Sequence, residues 1–430
     1  MFNFILQRTE KNFTAKYSEV LIEFSYSENP IVSIIIPVYK GMHYLENCLK
    51  SLVVYKDKCT FEVILIDDCP DDKTINKIAN SPGLIKLYND TNLGFLKTCN
   101  RGAEIARGKY LCFLNSDTLV TNQWLSNLIA ALENDPSIGM IGSMLLNDNN
   151  TIQDAGWTMM KSGWGEPIGR GQPIDDGRYT YRRVVDCVTG ACFVIEKNFF
   201  TNIGMLDLAF CPAFYEEFDL AFRVQKAGKN VVYEPKSKVV HLGSASYGLA
   251  ERDRLSIEHH DIFVNRYKDI LAKRPLVNND FILRHAILQQ KSILMIDVSI
   301  PHIDHHAGDV TIDKYLNVFI EEGWHIIYAP IDGNASDEVS DYYEQRGVEF
   351  IRSPYSVVKW LEENGQYISY IWIARPEIAN ELIPIIRTNS FAKVVYYTHD
   401  LHFLRMERAA KLNNKKGLYK EGDCQVKCVN

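Results

Sequence analysis

Between residues 31 and 136, short apolar runs alternate with stretches of helical spacing. Residues 31–36 are apolar and β-branched apart from Ser33 and are stopped by Pro37, and residues 43–54 carry Leu45, Leu49 and Leu52 on one helical face. Residues 61–66 read as a second strand ending in Asp67-Asp68. A short helix is expected over 72–80, a strand over 84–88, a helix over 94–106, a strand over 109–114 and a helix over 122–134. This alternation specifies an α/β fold built on a parallel sheet with right-handed crossovers. The fourth strand is the most informative. Lys109-Tyr-Leu-Cys-Phe-Leu-Asn-Ser-Asp117 passes straight from apolar to polar and ends on a carboxylate. A buried strand reads this way, and open α/β sheets bind ligands at the carboxyl ends of their strands. Asn115 and Asp117, two residues apart, can hold a divalent cation there, and a cation can hold a diphosphate.

Beyond residue 147 the pattern changes. Residues 147–177 are rich in Gly, Asp and Asn and contain Trp157 and Trp164; strands resume over 184–195 and 230–233, with a helix near 215–227. A long polar helix over 250–273 closes this part, and a second α/β series follows, with strands expected over 292–297, 325–329, 348–351, 367–373 and 393–398. The expected organisation is an arm over 1–30, a domain over 31–273, a linker over 274–290, a Rossmann-like domain over 291–412 and a tail over 413–430.

The chain has 430 residues, a net charge of −7 and a pI near 5.9, which argues against a nucleic-acid partner. No uncharged apolar run approaches the roughly 18 residues of a membrane span, and no secretory signal is read at the N-terminus. Ten cysteines without metal-ligand spacing suit buried, reduced thiols such as Cys99, Cys112 and Cys192. Cys424 and Cys428 are the closest pair and make a weak zinc signal. A cytoplasmic protein, with peripheral association at the inner face of the membrane, is the expectation.

Three acidic sites stand where phosphate-ester chemistry needs them, each with a plainer reading beside it. Asp68, just past the second strand, can accept the imide N–H of a uracil or thymine ring, or cap the next helix. Asp117 can ligate a metal, or cap the helix expected at Asn122. Glu216, Glu217 and Asp219 cluster at a helix start, where negative charge suits the helix dipole. Asp219 lies four residues before Arg223, the spacing of a structural ion pair, which leaves Glu216 and Glu217 for proton transfer. His241, after Val239-Val240, is either a further metal ligand or a structural histidine.

In order, Val32-Ser-Ile-Ile-Ile-Pro-Val-Tyr39, Ile66-Asp-Asp68, Asn92-x-Gly94-Phe95, Asn100-x-Gly102, Phe113-Leu-Asn-Ser-Asp-Thr118, Thr189-Gly-Ala-Cys192, Glu216-Glu-x-Asp-Leu220 and Val240-His241 resemble the motifs of family 2 inverting glycosyltransferases of the GT-A fold. The resemblance covers roughly residues 31–250. It implies that Pro37, Val38 and Tyr39 line a nucleoside pocket, with Asp68 on the base and Asn92 and Gly94 nearby. It implies that Asp117 and His241 hold Mg²⁺ or Mn²⁺ with Asn115 beside them, and that Glu217 or its neighbour Glu216 acts as base. Gly190, Ala191 and Trp157 would face the acceptor. The implied partners are a nucleotide-sugar donor and a glycan or lipid-linked glycan. Two departures stand out: the family usually has Glu-Asp where this chain has Glu216-Glu217, and an Asp where it has Asn115.

In the second half, Ile293-Leu-Met-Ile-Asp297, Pro301-x-x-Asp304-x-x-Ala307-Gly308, Gly347-Val348 and His399-Asp-Leu-His-Phe-Leu-Arg405 resemble the N-terminal lobe of GT-B glycosyltransferases. No Gly-rich phosphate loop follows Asp297, so a docking or acceptor-handling role is expected there. His302, His305 and His306, with Asp304 and Asp309, form either a metal site or a solvated loop. Two other functions compete with sugar transfer: a non-catalytic scaffold in glycan assembly, and a nucleotidyltransferase, for which Pro37-Val-Tyr-Lys-Gly41 is a poor phosphate loop.

Overall fold

The computed structural model describes residues 19–72, 74–243, 249–276, 278–285, 291–302, 307–333, 338–353 and 355–397. They divide into two units: residues 1–174 with 183–287, and residues 175–182 with 288–430. Residues His305, His306, Asp304, Cys424, Cys428 and 399–405 lie outside the described set.

The first unit is built on a mixed sheet. Its strands are β1 (Val32–Val38), β2 (Phe61–Asp67), β3 (Leu84–Tyr88), β4 (Tyr110–Leu114), β5 (Thr118–Val120), β6 (Ile138–Leu146), β7 (Ile152–Asp154), β10 (Arg183–Val184), β11 (Cys192–Glu196) and β12 (Asn230–His241). Strands β8 (Trp157–Met159) and β9 (Gly165–Pro167) form a separate hairpin. The order is β10-β12-β6-β11-β4-β1-β2-β3, with β5 added to β12 and β7 to β6. Strands β1, β2, β3 and β4 are parallel, and β11 runs antiparallel between β4 and β6. The register pairs Val38 with Asp67 and Ile35 with Phe113, so the carboxyl ends of β1, β2 and β4 share one edge.

Packing explains the central helices. In α1 (Met42–Val54), Leu45, Leu49 and Leu52 are buried, as their spacing requires, and Cys48 joins them. Helix α2 (Phe95–Ile105) lies unusually close to the sheet at Gly102, where an added Cβ would sit 2.7 Å from Ile35 Cγ2 and 2.9 Å from Ile66 Cδ1. Asn100 exchanges two hydrogen bonds with the Leu206 backbone, 2.8 and 3.1 Å long, and so ties α2 to the segment leading to residue 216. The remaining helices are α3 (Trp124–Asn134), α4 (Lys197–Asn202), α5 (Glu216–Lys226), α6 (Leu249–Leu271) and α7 (Asp280–His285).

Several local expectations change. The helix expected over 72–80 is a single 3-10 turn, Thr74–Lys77. The strand expected over 184–195 is two strands, because Thr189-Gly-Ala191 breaks the run and lines a cavity. The stretch 274–290 carries α7, which buries Phe281 and Leu283. The described part of the arm, residues 19–30, has no regular element, yet it buries Phe24 against Phe61 with ring centroids 6.2 Å apart.

The second unit is a five-stranded parallel sheet: β13 (Ser292–Asp297), β14 (His325–Pro330), β15 (Glu349–Phe350), β16 (Tyr370–Ile373) and β17 (Lys393–Tyr396), in the order β15-β14-β13-β16-β17. That is a doubly wound, Rossmann-like order. Helices α8 (Ala307–Glu321), α9 (Glu338–Glu344), α10 (Val357–Asn364) and α11 (Pro376–Asn389) alternate with the strands. Residues 175–182 belong to this unit: Thr180 donates to Glu344 Oε1 at 2.6 Å, and Arg352 pairs with the same carboxylate at 2.8 Å. Among the described residues, no helix is long and apolar enough to cross a membrane.

Candidate active site

The shared edge of β1, β2 and β4 opens into a cavity of about 730 Å³. Pro37, Val38 and Tyr39 reach it from β1, Asp68 from β2, and Asn115 and Asp117 from β4. Asn92, Gly94, Gly190, Ala191, Glu216, Glu217 and His241 also line it. The fold therefore brings together thirteen of the fourteen expected site residues. Trp157 is the exception: its ring packs against Phe218, centroids 5.7 Å apart, and does not line the cavity.

Asp68 is buried and tightly held. Its Oδ1 accepts from the Leu93 N–H and Asn89 Nδ2, both at 2.7 Å, and its Oδ2 accepts from the Gly94 N–H at 2.9 Å. Asn92 Oδ1 accepts from the same Gly94 N–H at 3.0 Å. Asp68 thus anchors the loop leading into α2. Gly94 needs its freedom there, having a φ of +80° and a Pro212 atom 2.6 Å from where a Cβ would be.

Asp117 does not cap α3, whose N-cap position is Gln123. Strand β5 pairs with the end of β12 so that Thr118 faces His241. This register sets Asp117 Oδ1 3.4 Å from His241 Nε2. The Leu242 N–H donates to the Asp117 carbonyl at 3.0 Å and fixes the turn. Burial opposes a charge on His241, but Asp117 and Asp154 outweigh it and raise the imidazole pKa. The Asn115 N–H donates to the Ala191 carbonyl at 2.9 Å, which joins the metal-type loop to Gly190 and Ala191.

The two glutamates sit where the backbone is strained. Phe214 and Tyr215 have φ of 76° and 72°, two successive non-glycine residues in the left-handed region immediately before α5. Glu216 and Glu217 each bury an Oε2 with no hydrogen-bond partner. Burial raises both carboxyls, Glu217 to about 7, and the charge of Asp154 pushes it the same way. Asp219 is fully buried and spoken for: Arg223 lies 2.7 Å away as the spacing required, Arg266 and the Tyr267 hydroxyl 2.6 Å away.

Sequence reasoning missed several residues. Lys40 and Arg252 line the cavity and supply positive charge beside its four acids. Gln153 reaches His241 from β7. None of these carries a motif, and only Lys40, directly after Tyr39, lay close enough to a recognised segment to be found.

With this geometry in place, the comparisons are specific. Residues 33–201 match the model of Glycosyl transferase family 2. The chain is 28% identical over 236 residues to an O-antigen biosynthesis protein, RfbC, of Myxococcus xanthus, covering 52% of this chain and 18% of that protein. It is 27% identical over 294 residues to an uncharacterised protein, y4gI, of Sinorhizobium fredii, covering 61% of this chain and 32% of that one. The chain thus spans about a third or less of these relatives. The structure of GalNAc-T7 with UDP, GalNAc and Mn²⁺ is similar at a TM-score of 0.46 and 18% identity, over 58% of this chain and 51% of that one.

Proposed function

We propose that the first unit transfers a sugar from a nucleoside-diphosphate donor, a UDP- or dTDP-sugar, to a hydroxyl of a growing cell-surface glycan with inversion. The observation that carries this reading is the convergence of Asp117 and His241 in one cavity with Glu217, whose Oε2 has no partner. The likeness to an O-antigen biosynthesis protein supports a glycan acceptor; its form as a lipid-linked chain at the inner face of the membrane is part of the proposal.

The donor set fits Mg²⁺ or Mn²⁺. Oxygen and imidazole nitrogen suit such ions, and neighbouring ligands of an octahedral site with bonds of roughly 2.1 Å stand about 3 Å apart. Asp117 and His241 would hold the ion with Asn115 beside them, and the ion would neutralise charge on the leaving diphosphate. Pro37, Val38 and Tyr39 form the nucleoside wall. A carboxylate offers about four lone-pair positions; Asp68 uses three on the loop and turns the fourth to the base imide. Gly190 and Ala191, which lack bulk, leave room for the acceptor. Glu217 removes the acceptor hydroxyl proton, and that oxygen attacks the anomeric carbon from the face opposite the leaving group. A base with a pKa near 7 is matched to neutral pH.

A panel of nucleotide-sugars, screened for hydrolysis and for transfer to glycan acceptors, tests the reading. Glu217→Gln is expected to lower turnover by about 10²–10⁴-fold with donor binding retained. Asp117→Ala is expected to abolish turnover with the fold intact. Near-normal turnover in Glu217→Gln would move the base to Glu216.

A further inference from the structure

The orientation of His241 is set by a relay of side-chain amides whose direction can be read without ambiguity. It begins at backbone. Asn147 Nδ2 lies 3.2 Å from the Ile152 carbonyl, an acceptor only, and 2.9 Å from Thr151 Oγ1, so the Asn147 amide nitrogen points there and its Oδ1 points away. Gln153 Nε2 lies 3.3 Å from that Oδ1 and 3.1 Å from the His241 carbonyl, again both acceptors. The Gln153 amide nitrogen is therefore committed, and its Oε1 must be the atom 2.7 Å from His241 Nδ1. An amide oxygen accepts and cannot donate, so His241 Nδ1 carries the proton. In the neutral ring Nε2 then bears the lone pair, 3.4 Å from Asp117 Oδ1. Two acceptors aimed at one point form a seat for a cation.

The backbone arranges this. Strand β7 pairs with β6 through Ile152–Leu146 and Asp154–Leu145, with an irregularity between the two pairs that leaves Gln153 unpaired. The same β6 runs parallel to β12, with Leu146 opposite Val240. An irregularity of this kind re-aims a side chain, here across β6 to the end of β12.

We propose that Gln153 is a positioning residue that holds His241 as the Nδ1–H tautomer, so that its Nε2 is presented to a divalent cation shared with Asp117. The cation rests on the function proposed above; the tautomer does not. Second-shell partners of metal-bound histidine fix the ring and its tautomer, and losing one typically weakens metal binding about 10–100-fold.

Two measurements on the full chain separate the claims. The first is a long-range ¹H–¹⁵N spectrum of ¹⁵N-histidine protein without metal at pH 8, with His241→Ala assigning the resonance. His241 is expected as the Nδ1–H tautomer in the wild type and shifted to Nε2–H in Gln153→Leu. An Nε2–H wild type, or no change in Gln153→Leu, overturns the proposal. The second is Mn²⁺ binding in the presence of UDP, read from the free Mn²⁺ signal in electron paramagnetic resonance. Gln153→Leu should weaken Mn²⁺ about 10–100-fold, while Gln153→Glu, which still accepts from Nδ1–H, should restore affinity to within a few-fold. If His241→Ala weakens Mn²⁺ but Gln153→Leu and Gln153→Glu bind like wild type, the positioning role is overturned. If Asp117→Ala and His241→Ala leave Mn²⁺ binding unchanged, the metal reading fails, and the tautomer result still decides whether Gln153 orients His241. Should Gln153→Leu not fold, Gln153→Glu and its tautomer carry the test.

Discussion

Glu217 shows most clearly how this site trades stability for chemistry. Its carboxyl is raised from an ordinary 4.5 to about 7, chiefly by burial. A raised carboxyl means that the folded chain binds more protons than the unfolded one between those two values. Stability therefore falls as pH rises from about 4.5 to about 7, and the penalty is full above that window. Glu217→Gln removes the charge, so thermal melts should show the variant more stable at pH 8 by on the order of 3 kcal/mol, with little difference below pH 4.5. Equal melts at both pH values would mean that Glu217 is not strained by its surroundings. Transfer by the wild type should decline in parallel as pH falls through about 7, because the base must be ionised. Glu216, equally deprived of a partner for its Oε2, leans on the same strained turn at Phe214 and Tyr215.

At the scale of elements, the strands that deliver the site were legible because each is a buried apolar run that ends in its functional residue. Val32–Val38 and Tyr110–Leu114 have almost no exposed side chain, and Asp68, Asn115 and Asp117 follow the strand ends within a few residues. Glu216 and Glu217 were legible for a different reason: Asp219 was claimed in advance by Arg223. What escaped depends on non-local register. Nothing near Gln153 announces that an irregular β6–β7 pairing will send it to His241, and nothing near Trp157 announces that Phe218 will take its ring away from the cavity. The closeness of α2 to the sheet was also invisible beyond the bare Gly102. Its test is Gly102→Ala, whose new Cβ meets Ile35 and Ile66 under 3.0 Å. Chemical unfolding should show a loss of about 1–3 kcal/mol, since well-packed branched side chains cannot yield cheaply. A neutral substitution would show that α2 rests more loosely than described.

At the scale of the whole molecule, the two units are not simply consecutive in sequence. Residues 175–182 leave the first unit between β9 and β10 and belong to the second, where Thr180 and Arg352 share the buried Glu344 carboxylate. A chain ended after Ile287 keeps every described residue lining the cavity but loses the partners of that excursion. Trypsin should then cut at Arg178 or Arg182 well before it does so in the full chain, while nucleotide binding survives. Resistance equal to that of the full chain would show that residues 175–182 need no second unit to stay ordered. The second unit's Rossmann-like class was legible from its alternating runs, because the buried inner strands β13, β14 and β16 leave an apolar signature.

The central claim is that one cavity binds a nucleoside diphosphate through a cation held by Asp117 and His241. Isothermal titration of the full chain with UDP and with dTDP, each with and without Mn²⁺, tests it most directly. Binding that requires Mn²⁺ and is lost in Asp117→Ala is the expected result. Absence of nucleotide binding under every condition would contradict the account and leave a scaffold in its place.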